Sequence, residues 1–224
     1  MFPFIDIHTH HLKVRDQYDD EEFIEVYNAS LDEKITFHTL KSIGIHPWNI
    51  DVEKDQLKAL ELFIESEKSI IALGECGLDY SIEADKKIQI FYFQQQILLA
   101  NKFKLPLIIH CVKAFDDLIL LKKNNRSSFP WIIHGFNKSP ELAADLIKKG
   151  FYISLSKVLF QDKAARILDV IPLNRLFFET DDDPEMNIVT LYKKASDLSF
   201  IDLNEIKKQL FLNYNSIFNE YRGK

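Results

Sequence analysis

The 224-residue chain is 46% hydrophobic and 28% charged, with only 6 Gly and 7 Pro, which excludes a disordered, collagen-like or low-complexity protein. Its 28 Lys+Arg against 34 Asp+Glu give a net charge of −6, wrong for coating duplex DNA by phosphate neutralisation but compatible with capture of one phosphate by a metal site. No apolar run is long enough to span a membrane, MFPFIDIHTH does not read as a signal peptide, and Cys76 and Cys111 cannot build a disulfide framework, so a cytoplasmic protein is expected.

The length suits one domain, 1–224, burying roughly 70% of the surface that its unfolded chain exposes. In chain order the first strand candidates are FIDIH (4–8), FIEVYN (23–28) and LKSIGI (40–45). No convincing long helix fills the gaps between residues 11 and 40, so the outer layer should be thin there. A helical pattern at 54–67 leads to strand IIALG (70–74), and 85–103 leads to LPLIIH (105–110). Helix 113–124 precedes WIIH (131–134), 139–149 precedes FYISL (151–155), and 161–170 precedes RLFFET (175–180). Stretches 188–198 and 203–220 read as closing helices. Asp55, Asp85 and Ser139 stand where N-caps belong, Pro140 suits a first turn, and Gly150 suits a stop. Eight strands in repeated strand–helix order predict an α/β parallel fold, most simply a (β/α)8 TIM barrel at about 28 residues per unit. A doubly wound open sheet would need a Gly-rich phosphate turn after an early strand, and neither GxGxxG nor GxxxxGK[ST] occurs.

His8 and His10 are two apart at the end of the first strand, so their side chains emerge on one face and can converge on one ion. Glu75 follows IIALG, His110 ends LPLII, His134 ends WII, and Asp181 follows FFET. All six sit at the barrel end where active sites are built. Four imidazoles and two carboxylates exceed what one tetrahedral zinc takes. They suit two divalent cations (Mg, Mn or Zn) roughly 3.5–4 Å apart, bridged by a carboxylate and activating water for hydrolysis. His46 ends the third strand on the same rim, either against a scissile phosphate or holding the turn before Pro47. His11 and His38 read as ordinary surface or core residues. Asp79 reads as a loop or capping residue, with support of a ligand as the alternative. Cys76 and Cys111 read as buried packing groups, Trp48 as a loop residue with base stacking as its other reading, and Asp182 and Asp183 as charges that would repel a polyanion unless they turn away or hold further metal. The pairs Lys86–Lys87, Lys122–Lys123 with Arg126, and Lys148–Lys149 read as solvated helix faces.

FIDIHTHH, SIGIHP, IALGECGLDY, LPLIIHC, WIIHGF and LFFETDDDP, in this order from residue 4 to about 184, with NYNSIF (213–218) beyond, resemble the TatD family of metal-dependent deoxyribonucleases. The resemblance implies a TIM barrel with two metals. His8, His10 and Asp181 would hold one, His110 and His134 the other, and Glu75 would bridge them. It also implies DNA ends or another phosphodiester as substrate, with His46, Lys113 and the metals holding the phosphate and Asp181 orienting or deprotonating the attacking water. Neither a membrane nor a stable protein partner is expected. The sequence departs from the family at Val112, where an arginine is frequent and Lys113 lies beside it, and at Trp48, where a second histidine is frequent. The long loop after ETD-x-P is also shortened, with helical pattern resuming by Ile188. These departures touch the rim and spare the ligands, so an ester, amide or lactone of small size stands as the alternative substrate. A non-catalytic protein that keeps its metals for structure is a third reading.

Overall fold

Eight parallel strands lie side by side in chain order in the computed structural model, which describes residues 2–11, 22–31, 40–125 and 129–219. They are β1 (Phe4–Thr9), β2 (Phe23–Ala29), β3 (Leu40–Ile43), β4 (Ile70–Asp79), β5 (Leu107–Val112), β6 (Trp131–Ile133), β7 (Tyr152–Leu155) and β8 (Leu176–Phe178). Around them run α1 (Gln56–Ser66), α2 (Lys86–Phe103), α3 (Phe115–Asn124), α4 (Pro140–Lys148), α5 (Ala164–Val170), α6 (Ile188–Ser199) and α7 (Leu203–Tyr214). The barrel is closed at its C-terminal end by a parallel bridge between Thr9 and Asp181. There the His10 N–H donates to the Asp181 carbonyl at 3.0 Å, and the Asp181 N–H donates to that of His8 at 3.0 Å. The expected (β/α)8 architecture is therefore the one observed. The thinning expected over 11–40 falls largely on 12–21 and 32–39, outside the described residues, as do His38 and Arg126. No described helix is long and apolar enough to cross a membrane.

Local chemistry sets most element ends as expected. The Asp55 carboxylate accepts from the Lys58 N–H, Asp85 from those of Lys87 and Ile88, and Ser139 from that of Leu142, with Pro140 opening α4. Gly150, at φ 79°, ends that helix in the left-handed conformation. Three boundaries differ from expectation by more than two residues. The helix expected at 161–170 starts at Ala164, after a 3-10 turn Lys157–Phe160, and the last helix gives way to a π turn at Asn215–Asn219. β4 does not stop at Gly74 but runs five residues further, through Glu75 to Asp79. The glycines of GECG make this possible, because β4 there lies hard against β5. Gly77 has φ 140°, and a side chain on it would strike the His110 carbonyl.

One apolar cluster draws Ile5, Ile7, Val26, Ile71, Ile108, Ile132 and Phe177 from six strands, and Tyr214, Ile217 and Phe218 of the C-terminal segment pack against it. On β5, β6 and β8 the two-residue period places polar groups directly above this floor. His110 follows Ile108, His134 follows Ile132, and Glu179 follows Phe177. The second cluster fills the layer between strands and helices and contains both cysteines. Burial pushes the Cys111 thiol up to about 12 and the Cys76 thiol well above its usual value, so both are packing groups as expected and neither offers a thiolate. Lys122 departs from the solvated-face reading. Its ammonium sits 5.0 Å from the Trp131 ring centre and 4.9 Å from that of Phe151, and burial lowers it to about 8.

β8 is short, and its pairing does not reach the lower half of β1. The buried Tyr192 hydroxyl from α6 takes its place, accepting from the Ile5 N–H at 3.0 Å and donating to the Ile5 carbonyl at 3.1 Å. Tyr192→Phe is expected to leave this buried peptide short of partners and to destabilise the chain by about 2 kcal/mol. Denaturant unfolding at fixed metal content checks this, and an unchanged midpoint would show that the seam does not depend on the hydroxyl.

Candidate metal centre

Glu75 is the hub of the site. Its Oε1 lies 2.7 Å from His134 Nε2, 3.0 Å from His110 Nδ1 and 3.2 Å from His46 Nε2. Its Oε2 lies 3.6 Å from the Nε2 of both His8 and His10. Asp181 Oδ1 faces the same two imidazoles, at 3.5 Å from His8 and 3.8 Å from His10. The two carboxylate oxygens thus look toward two different groups of imidazoles. Within these residues, His8 with His10 and Asp181, His8 with Glu75 and His134, and His46 with Glu75 and His110 each converge closely enough to hold a cation. His8 Nε2 is buried with no hydrogen-bond partner, and a donor atom left bare in this way fits an ion. The six residues expected as ligands are all brought together, on β1, β4, β5 and the ends of β6 and β8.

Asp181 is held in a strained backbone conformation by its bonds to β1. It adopts the left-handed conformation at φ 58°, tolerated better by aspartate than by most residues, and its peptide is pinned to β1 on both sides. Asp182 and Asp183, which also follow β8, turn to Lys157, at 3.9 and 3.2 Å. Two buried carboxylates stand behind the imidazoles, and one of them, Glu179, was not anticipated from the sequence. Asp79, read as a loop or capping residue with support of a ligand as the alternative, is the last residue of β4 and accepts from His110 Nε2 at 3.0 Å through Oδ2. Burial would raise its carboxyl, but bonds from Ser81, Trp48 and His110 hold it at about 2. Glu179, fully buried, accepts from the Gly135 N–H and faces His134 Nδ1 at 3.4 Å. A carboxylate on one ring nitrogen fixes the proton there and leaves the other lone pair for a cation. His46 instead turns its protonated nitrogen toward the site. Its Nδ1 accepts from the Trp48 N–H at 3.2 Å, so Nε2 carries the proton and donates to Glu75. Burial also lowers its pKa, against the pull of Glu75, which keeps it a neutral donor.

The supports below were not anticipated either. Asn28 Oδ1 accepts from the Glu75 N–H at 2.9 Å. Gln89 and Gln96, seven apart on the buried face of α2, each clamp one rim peptide in both directions. Gln89 bonds the Asp79 N–H and carbonyl at 2.8 and 2.9 Å, and Gln96 those of Ile45, beside His46, at 2.7 and 3.0 Å. An asparagine within a β-rich run, and glutamines at helical spacing on an apolar face, were the available signals. Lys113 stands exposed just past β5. A cavity of about 470 Å³ flanks the cluster on the β2–β3 side, lined by Asn28, His46, Asn49 and Lys54 among others. Another of about 150 Å³ on the β5–β6 side is lined by Lys138, and neither is lined by Lys113.

Burial alone would push the His8 imidazole down, yet Asp181 and Glu75 raise it to about 9. His134 is likewise raised well above its usual value by Glu75 and Glu179, against its burial. Without a cation these rings carry protons, which a cation must displace. Metal uptake should therefore release protons and strengthen as pH rises toward 9, weakening below it. Calorimetric titration in two buffers of different ionisation enthalpy measures the released protons, and a buffer-independent heat would contradict this.

The TatD related DNase family matches residues 17–219. An uncharacterized metal-dependent hydrolase of Buchnera aphidicola is 36% identical over 151 residues, covering 62% of this chain and 57% of that protein. The uncharacterized metal-dependent hydrolase YabD of Bacillus subtilis is 36% identical over 146 residues, with the same two coverages. The chain thus aligns over somewhat more than half the length of these relatives. The crystal structure of YjjV, a TatD homologue from Escherichia coli, superposes with a TM-score of 0.80 over 96% of this chain and 98% of that one, at 21% identity, which shows the shared fold. With the family matched across nearly the whole barrel, the chain belongs to the TatD-related DNase family.

Proposed function

We propose that the chain, read as one domain over 1–224, is a metal-dependent hydrolase of phosphodiesters, acting on DNA ends with two divalent cations. The observation that carries this reading is the division of the Glu75 carboxylate, with one oxygen toward His8 and His10 and the other toward His110 and His134. In this reading His8, His10 and Asp181 hold one cation, His110 and His134 the other, and Glu75 belongs to both. Two dications so placed supply the charge that acidifies water and polarises a phosphoryl oxygen. The chain's own groups do the rest. Asp181 is held at about 2 by His8 and His134 despite its burial, so it stays an anion that orients the attacking water. The half-open position of Asp181 and His10, with side chains 28% and 35% exposed, leaves the approach for substrate on their side. His46, whose N–H rests on Glu75, is the neutral donor that would turn to a phosphoryl oxygen when that carboxylate serves the cations, and Lys113 and Lys138 give positive charge near the β5–β6 rim.

Incubation of end-labelled single-stranded DNA with the protein and Mg, Mn, Co or Zn, with and without chelator, tests this. Shortening that the chelator abolishes is the expected result. No shortening under any of the four, together with faster turnover of chromogenic carboxyl esters than of phosphodiesters, would move the assignment to the esterase or lactonase alternative.

A further inference from the structure

Trp48 is 64% exposed, whereas Trp131, the other tryptophan, is fully buried in the core. An exposed indole is ordinarily free to change rotamer, and this one is held at both ends. Its backbone N–H donates to His46 Nδ1 within the 3-10 turn Pro47–Asn49, and its indole N–H donates to Asp79 Oδ2 at 2.7 Å. Asp79 is buried and clamped by Gln89, so the anchor is itself rigid. The ring centre lies 5.0 Å from that of His46 and 6.0 Å from that of His110, both in contact with Glu75. A large aromatic surface is thus immobilised at the edge of the metal centre and left open to solvent. A planar ring stacked there would lose little of the indole's freedom on binding, because that freedom is already gone.

We propose that Trp48 is a stacking platform for the nucleobase next to the phosphate in the site, a proposal that rests on the phosphodiesterase reading. Every base has a π face, so the platform gives affinity for nucleotides over sugar phosphates without choosing among bases. It is a binding residue and takes no part in bond breaking.

Equilibrium binding tests it separately from hydrolysis. The intact chain, Trp48→Ala and Trp48→Phe are titrated with deoxyadenosine 5′-monophosphate and with 2-deoxyribose 5-phosphate, which share phosphate and sugar and differ in the base. The parent should bind the nucleotide about tenfold or more tighter than the sugar phosphate. In Trp48→Ala that ratio should fall to near one with sugar phosphate affinity unchanged, and Trp48→Phe should keep most of it. A parent that holds the two equally, or neither, overturns the platform, as does a preference that survives in Trp48→Ala. Equal loss of both ligands in Trp48→Ala also overturns it, because Trp48 would then act through Asp79 and His110. A chain that prefers the nucleotide but shortens no DNA would overturn the hydrolytic reading and leave the platform standing. One that cleaves DNA without base preference would do the reverse.

Discussion

On the two-cation reading, Glu75→Gln is expected to empty at least one position, and to do so more completely than Asp181→Asn. The substitution keeps the shape of the side chain and removes a full negative charge from between His8, His10, His110 and His134. That carboxyl is held well below its usual value, because the imidazoles around it, His134 first, outweigh the effect of burial. The surroundings are therefore built for an anion. An amide would also present an N–H to at least one of two rows of donors and repel it. Asp181 is paired most closely with His8 and His10 and is partly open to water, so its loss should bear mainly on one position. Elemental analysis of the purified variants should show the larger loss for Glu75→Gln. Turnover should fall in both by more than the 10–100-fold typical of changes behind a ligand. Full metal content and near-normal turnover in Glu75→Gln would dispose of the shared-carboxylate reading.

The second large effect is expected one layer out, at Asp79. Its carboxylate takes two N–H groups on a single oxygen, from Trp48 at 2.7 Å and His110 at 3.0 Å. Asp79→Asn keeps the volume, removes the charge that favours the proton on Nε2, and brings an NH2 that competes for the same space. His110 should lose its fixed tautomer, and metal affinity or turnover should fall by about 10–100-fold. The fold should survive, because the Asp79 peptide remains clamped by Gln89. Metal titration with circular dichroism on the same samples checks both halves. An unchanged affinity would mean that His110 does not need Asp79 to present Nδ1. Glu179→Gln, behind His134, gives the parallel test on the other side, although its 3.4 Å separation predicts a smaller effect.

The strand ends carry the site because a parallel barrel places every strand's C-terminal end on one rim. The order of short apolar runs, each followed by a histidine or acid, is enough to gather His8, His10, Glu75, His110, His134 and Asp181 on that rim. Local chemistry likewise determined the helix starts at Asp55, Asp85 and Ser139, since a cap is a contact among residues three or four apart. What lay beyond the sequence was everything that depends on neighbours distant along the chain. Glu75 looked like the end of a strand because glycine on either side reads as a stop. Packing against β5 turns those glycines into the condition for continuing. Asp79 looked like a loop residue because His110 and Trp48, its partners, are 31 residues away on either side. Gln89 and Gln96 are buried because their amides meet the peptides of Asp79 and Ile45, partners that lie on other strands and that helical spacing alone does not name. Sequence therefore determined which residues could bind cations, since composition and spacing are local properties. Only tertiary structure decided which ring nitrogen His46, His110 and His134 present, because that choice belongs to the carboxylate or peptide N–H lying behind each of these rings.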